Sequence, residues 1–148
     1  MRAEKDFEEF IGLLNKHNVR YLVVDGYAFS FHAEPRFTKD IDFFVDGSGD
    51  NLERLLKCLG EFGFGKLGLS REDFLRSGHV VQLGVAPVRI DLMTSVSGIE
   101  FADAWENRVS GAFGTVWAHF ISKADLIKNK KAIGRKRDLG DIEILQKN

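Results

Sequence analysis

The chain has 148 residues, of which 44% are apolar and 29% are charged, a composition typical of one globular domain with a real core. Its 21 basic and 22 acidic side chains almost cancel, which excludes an overall field that attracts nucleic acid or an anionic membrane. No apolar stretch suits a secretion signal or a membrane-spanning helix. The single cysteine, Cys58, cannot form an internal disulfide. We therefore expect a cytoplasmic protein without membrane association.

The first half of the chain alternates helical and strand-like patterns. In chain order, apolar spacing predicts a helix over 4–17, a strand over 21–24, a short helix over 27–32, a strand over 39–45 and a helix over 51–62. Asp25-Gly26 is a turn signal between the first strand and the short helix. Asp50 is the predicted N-cap of the 51–62 helix. Irregular chain or a weak edge strand is expected around Gly63, Gly65 and Gly68.

The second half predicts a hairpin, a further strand and two C-terminal helices. Strands are expected over 80–85 and 88–93 with a turn at Ala86-Pro87, a short helix within 99–109, a strand over 115–121, and helices over 123–133 and 137–145. Ser122 has the position of an N-cap, with Asp125 three residues on. Uneven alternation and a hairpin indicate an α+β fold, a mixed sheet with helices packed on it, formed by residues 1–148 as a single domain.

Two carboxylates, Asp40 and Asp42, are separated only by the apolar Ile41. Alternate residues of a strand point to one side, so both carboxylates are expected on one face while Ile41 faces the core. Like charges this close repel each other unless a cation lies between them. A hard divalent ion such as Mg²⁺, which takes one or two carboxylates together with substrate phosphates, suits this pattern. The sequence therefore predicts a metal site on the sheet.

A third candidate ligand, Asp91, interrupts the apolar run of the 88–93 strand. The alternative for Asp91 is a salt bridge with Arg89 across a hairpin. Further along, residues 128–137 hold six lysines and arginines and no acid. A solvated helix face is the alternative to a phosphate-binding role for any one of them.

Taken in order, residues 23–28, residues 36–42 and the Arg89-Ile90-Asp91 triplet resemble the nucleotidyltransferase superfamily with the DNA polymerase β palm fold. The similarity is to its small prokaryotic members, which include those related to abortive-infection and toxin–antitoxin nucleotidyltransferases. The family pattern is an apolar strand, a turn of two small residues, a short helix, Asp-x-Asp on the next strand and a third acid on a later strand. The segments 122–130 and 138–141 resemble the helical end of these proteins, so the similarity spans essentially the whole chain.

This resemblance implies a Mg²⁺-dependent transfer of a nucleoside monophosphate from a nucleoside triphosphate to an acceptor hydroxyl on a protein, an RNA or a small molecule. Two Mg²⁺ ions, or Mn²⁺ in their place, would be held by Asp40, Asp42 and Asp91, and would stabilise the entering and leaving oxygens. The implied nucleotide-binding residues are Gly26, Tyr27, Arg36, Thr38 and Lys130. Because the chain has little room for an acceptor domain, we expect a homodimer or another partner to complete the site.

Asp25 departs from the family pattern, because it occupies the turn where two small residues are usual. In one alignment a carboxylate then lies where triphosphate approaches, and like charges repel. The alternative function is therefore a catalytically weakened member that acts as a binding or regulatory partner, as in a toxin–antitoxin pair. The alternatives for Asp25 are a side chain that points away from the site and a role as an additional metal ligand. A metal-dependent nuclease would use the same carboxylates without a nucleoside triphosphate.

Overall fold

A computed structural model describes residues 2–76, 78–84 and 88–148, with side chains described from residue 5 onward. The helices and strands are α1 (Arg2–Lys16), β1 (Tyr21–Val24), α2 (Asp25–His32), β2 (Asp40–Val45), α3 (Gly49–Leu59), α4 (Arg71–Leu75), β3 (Val80–Leu83), β4 (Arg89–Met93), α5 (Phe101–Glu106), β5 (Val109–Phe113), β6 (Val116–Phe120), α6 (Lys123–Ile133) and α7 (Lys136–Lys147). None of the helices in these residues is long and apolar enough to cross a membrane.

Six strands form one mixed sheet in the order β3-β4-β2-β1-β6-β5. β2 pairs in parallel with β4 and antiparallel with β1, while β3–β4 and β5–β6 are antiparallel pairs. The β2–β4 register sets Asp42 directly opposite Asp91, and the β1–β2 register sets Val24 opposite Asp42. The expectation of an α+β fold with helices packed on a mixed sheet is confirmed.

Both faces of the sheet are covered by aromatic side chains from helices. Phe43 of β2 packs edge-on against Phe10 of α1, with 5.4 Å between ring centroids. The next residue, Phe44, points the other way and meets Phe101 of α5 at 5.1 Å. Because alternate strand residues share a face, the α5 side is also the face that carries Asp40 and Asp42.

Several element boundaries differ from the expectation for the first half. α3 begins at Gly49 after the N-cap residue Ser48, so the prediction that Asp50 caps this helix is wrong. The predicted edge strand is absent from the glycine-rich segment, where a π-helical turn (Gly60–Phe64) and a 3₁₀ turn (Gly65–Leu67) lie instead. No separate turn precedes α2, which begins at Asp25.

The second half follows the expectation more closely. β3 and β4 pair antiparallel as a hairpin, although its predicted turn at Ala86-Pro87 lies outside the described residues. The sequence did not predict α4 or β5. The Ser122 hydroxyl caps α6 by accepting a hydrogen bond from the Asp125 backbone N–H at 3.1 Å. Gly134, with φ of 72°, ends this helix in the left-handed region that glycine favours.

Candidate active site

Three aspartates lie around Asp42 on the α5 face of the sheet. Asp91 is the cross-strand partner of Asp42 on β4. On the other side the partner of Asp42 is Val24 of β1, and Asp25 directly follows Val24. The negative charges of Asp25, Asp91 and Asp40 all act on the Asp42 carboxyl. We name Asp25, Asp40, Asp42 and Asp91 the carboxylate cluster. It contains the three acids expected from the sequence and adds Asp25.

The Asp42 carboxyl carries the electrostatic consequence of this crowding. Burial is the largest cause, followed by the charges of Asp25, Asp91 and Asp40, and together they raise the pKa of Asp42 to about 8. A carboxylate ionises less readily when water is removed and like charges are near. In the metal-free protein Asp42 therefore holds its proton at neutral pH.

Arg89 is the basic residue that pairs with the carboxylate cluster. Its Nε and Nη2 atoms donate to the two oxygens of Asp91, each at 3.0 Å, and Nη1 lies 3.8 Å from Asp40. The salt bridge considered from the sequence is present, but both residues lie on β4 instead of facing each other across a hairpin. Among the described residues, no group of three or more His, Cys, Asp or Glu side chains is arranged as a ready-made metal site.

The junction between β1 and α2 is tightly constrained. Asp25 has φ of 57°, in the left-handed region where most side chains are strained. Next to it, a Cβ atom on Gly26 would lie only 2.8 Å from the Thr38 methyl carbon and 2.9 Å from its hydroxyl. Only glycine lets this junction approach the loop that carries Thr38.

Three basic side chains line a small pocket on one side of the cluster. It has a volume of about 230 Å³ and is lined by Asp25, Gly26, Arg36, Phe37, Thr38, Lys39, Asp40, Asp42 and Arg137. We name it the cationic pocket, because Arg36, Lys39 and Arg137 are its basic residues. Tyr27, also expected to bind nucleotide, does not line it. The Tyr27 ring packs against Phe7, and its hydroxyl donates to the Thr38 carbonyl at 3.4 Å.

A larger cavity of about 510 Å³ adjoins the other side of the cluster. Its lining is Val24, Asp25, Asp42, Gly78, Met93, Ser95, Val96, Ser97, Asn129 and Ile133. We name it the neutral cavity, because the described residues that line it carry no charge apart from Asp25 and Asp42 of the cluster. Asn129 donates from Nδ2 to the Ser97 carbonyl at 2.9 Å and so joins α6 to the segment after β4. Both spaces contact Asp25 and Asp42, so the cluster lies between them.

Lys130 and Arg36 belong to an ion-pair network with α7. The Lys130 ammonium is 2.9 Å from Asp141 and 3.5 Å from Asp138, and Lys130 is only 3% exposed. Arg36 donates two hydrogen bonds to Asp141, at 3.0 and 2.6 Å, and its guanidinium lies 3.7 Å from the centre of the Phe29 ring. Burial opposes ionisation of Asp141, but the bonds from Arg36 and Lys130 outweigh it and lower the pKa of Asp141 to about 2. Lys130, which the resemblance implies as a nucleotide-binding residue, does not belong to the described lining of the cationic pocket.

Sequence reasoning did not single out Lys39 or Arg137 and considered Arg89 only as a competing explanation for Asp91. The signal for Lys39 is its position directly before Asp40, and the signal for Arg137 is its place in the basic run at 128–137. Their grouping depends on α7 returning to the loop before β2, which local sequence does not encode.

Comparisons with known proteins agree with this fold. A family profile described as "Nucleotidyltransferase of unknown function (DUF6036)" matches residues 4–146. The solution structure of the antibiotic-resistance factor ANT(2″)-Ia is similar over 97% of this chain and 82% of that chain, with a TM-score of 0.63 and 13% identity. The crystal structure of ANT(2″)-Ia in complex with adenylyl-2″-tobramycin is similar over 99% and 89%, with a TM-score of 0.58 and 12% identity. No curated protein matches the chain by sequence.

Replacing Asp141 with alanine removes the acid that holds both Arg36 and Lys130. We expect the free energy of unfolding to fall by about 3 kcal/mol, because Lys130 would remain buried without its nearest partner. Urea unfolding measures this change. Glu143→Ala, on an exposed position of the same helix, is the matched control. Equal stability of the two variants would contradict a stabilising role for the network.

The raised pKa of Asp42 predicts how the stability of the metal-free protein depends on pH. Its pKa is about 8 when folded, against a reference value of 3.8, so between these values the folded state holds the extra proton. The free energy of unfolding should therefore decrease as pH rises through this window. Asp42→Asn should melt at a higher temperature than the wild type at pH 9 with chelator present, and should differ less at pH 5. Asp103→Asn on α5 is the exposed control, and parallel melting profiles for wild type and Asp42→Asn would contradict the assignment.

Proposed function

The chain belongs to the family described as nucleotidyltransferase of unknown function (DUF6036), and we propose that it moves a nucleoside monophosphate from a nucleoside triphosphate, such as ATP, to an acceptor hydroxyl. One observation carries this proposal: the carboxylate cluster lies between the cationic pocket and the neutral cavity. Such an arrangement suits a reaction that joins an anionic donor to a second molecule beside bound metal.

Mg²⁺ is the proposed cofactor, as two ions, with Mn²⁺ able to replace it. The donors available are carboxylate oxygens, which are the ligands that these hard cations prefer. Asp40, Asp42 and Asp91 would hold the ions, and Asp25, whose charge acts on Asp42, is an additional candidate ligand. A divalent cation that replaced the proton on Asp42 would offset the repulsion between the carboxylates. When bound, the ions would stabilise charge on the entering and leaving oxygens and lower the pKa of the acceptor hydroxyl.

The triphosphate belongs in the cationic pocket in this proposal. Lys39 and Arg137 have no ion-pair partner among the described residues, so their charges are available to phosphate oxygens. Gly26 gives the backbone close access at the start of α2. Arg36 contributes mainly by fixing the loop, because two of its donors already bind Asp141.

The acceptor belongs in the neutral cavity, and its chemistry favours a small molecule over an RNA end. An RNA strand needs cations along its backbone, and the lining of this cavity has none. Its volume of about 510 Å³ is within the range usual for small-molecule sites. The similar fold of ANT(2″)-Ia, crystallised with the small molecule adenylyl-2″-tobramycin, supports the same choice.

Labelling with [α-³²P]ATP and Mg²⁺ tests the proposal. The protein is incubated with the small-molecule, RNA and protein fractions of a bacterial extract, and each fraction is analysed separately. We expect label in the small-molecule fraction, reduced roughly 100-fold or more by Asp40→Asn or Asp42→Asn, because each removes a metal ligand. Asp103→Asn should label like the wild type. Label that survives both cluster substitutions, or nucleic-acid cleavage without ATP, would contradict the proposed reaction.

Asp25 favours one alternative, a binding or regulatory protein with weakened catalysis. Its carboxylate lines the cationic pocket and adds negative charge beside Asp42, where triphosphate would approach. Calorimetry with Mg²⁺ and a non-hydrolysable ATP analogue separates the two. Metal-dependent binding by the wild type supports the enzyme. Binding that is absent from the wild type and restored by Asp25→Gly supports the alternative.

A second variant identifies which property of Asp25 matters. Asp25→Asn removes the charge but keeps a side chain at φ of 57°, whereas Asp25→Gly also removes the strain. If charge is the obstacle, both variants should bind the analogue more tightly than the wild type. A gain confined to Asp25→Gly would assign the effect to the backbone.

A further inference from the structure

Arg89 pairs with two members of the carboxylate cluster, Asp91 and Asp40. We propose that Arg89 is an exchangeable counter-cation: it pairs with Asp91 and Asp40 in the metal-free protein, and a divalent ion displaces it. This inference rests on the proposed metal-dependent function and adds a role for Arg89. It predicts that the chain itself competes with metal for its own ligands.

The sheet register forces this pairing. Arg89 and Asp91 are two residues apart on β4, so their side chains point to the same face. Asp40 is the cross-strand partner of Arg89 on β2. Backbone geometry therefore places the guanidinium within reach of both acids.

The pairing also occupies the atoms that a metal needs. Each oxygen of Asp91 accepts one hydrogen bond from Arg89, at 3.0 Å in both cases. A bidentate arginine–carboxylate pair of this kind has specific geometry, and a divalent ion on Asp91 would lie beside the positively charged guanidinium, which repels it. This agrees with the absence of a ready-made ligand group among the described residues.

Exposure distinguishes Arg89 from Lys130, the buried cation of the network with α7. The Arg89 side chain is 34% exposed, so its guanidinium can turn into water when its bonds to Asp91 break. The Lys130 side chain, at 4%, has no such route and must keep its partners. Because the guanidinium is already partly in water while it pairs with the buried Asp91, its release leaves no buried unpaired arginine, and this suits exchange.

Competition lowers the apparent affinity for metal by the fraction of molecules in which Arg89 has moved away. Removing the guanidinium should therefore tighten metal binding. Removing a residue that positions the metal ligands would instead weaken metal binding. At the same time the metal-free protein should become less stable, because Asp91 and Asp40 lose the only basic side chain within ion-pair distance of them among the described residues.

Mn²⁺ binding to the full chain, measured by electron paramagnetic resonance without nucleotide, tests the inference. We expect Arg89→Gln to bind Mn²⁺ roughly tenfold more tightly than the wild type. Arg89→Lys keeps the charge without the two-pronged contact and should fall between them. Melting temperatures with chelator and with Mn²⁺ give a second readout: Arg89→Gln should melt lower than the wild type without metal and gain more when metal is added.

Two control variants separate exchange from a general change of charge. Arg71→Gln removes a positive charge that pairs with the distant Glu53, and Lys57→Gln removes an exposed positive charge on α3. Both should bind Mn²⁺ within about twofold of the wild type, since exposed charges far from the cluster are screened. Unchanged or weaker binding by Arg89→Gln, or an equal gain in Arg71→Gln, would overturn the exchange and leave the metal site standing. Absence of Mn²⁺ binding in every protein would overturn both the exchange and the proposed function.

Discussion

Repulsion between carboxylates held on one face of a sheet is the constraint on which the site depends. The parallel pairing of β2 with β4 sets Asp42 against Asp91, and alternation along β2 adds Asp40. These positions are fixed by backbone hydrogen bonds and by Phe43 and Phe44, which pack against helices on opposite faces. The acids cannot move apart without breaking the sheet. The molecule must therefore balance their charge with protons, with Arg89 or with metal.

The C-terminal helices bring the opposite charge to the same place. Asp141 on α7 binds Arg36 and Lys130 together, which ties the loop before β2 to both terminal helices. That loop carries Thr38 and Lys39, and its close approach to Gly26 closes the cationic pocket. A buried ion-pair network at this position thus has a consequence for the site, because it orients the basic residues that remain free to meet an anion.

Local sequence patterns were sufficient to predict part of the fold and part of the candidate site. The alternation of Asp40, Ile41 and Asp42 predicted the shared face, Ser122 predicted the start of α6, and the ordered motifs indicated a nucleotidyltransferase, which the family match and the similar folds confirm. What failed depends on contacts distant in sequence. β5 was missed because its Ser110-Gly111-Ala112 core has little apolar alternation, and burial of Lys130 requires α7 to pack against α6. The sequence left Asp25 open as an additional metal ligand, and the β1–β2 register then shows that Asp25 directly follows the residue opposite Asp42.

A crystal grown with Mn²⁺ and a non-hydrolysable ATP analogue examines the central claim directly, because anomalous scattering locates manganese without assumptions about the ligands. We expect manganese bound to Asp40 and Asp42, with the triphosphate against Lys39 and Arg137 and with Arg89 turned away from Asp91. Manganese bound elsewhere, while Arg89 keeps both bonds to Asp91, would contradict it.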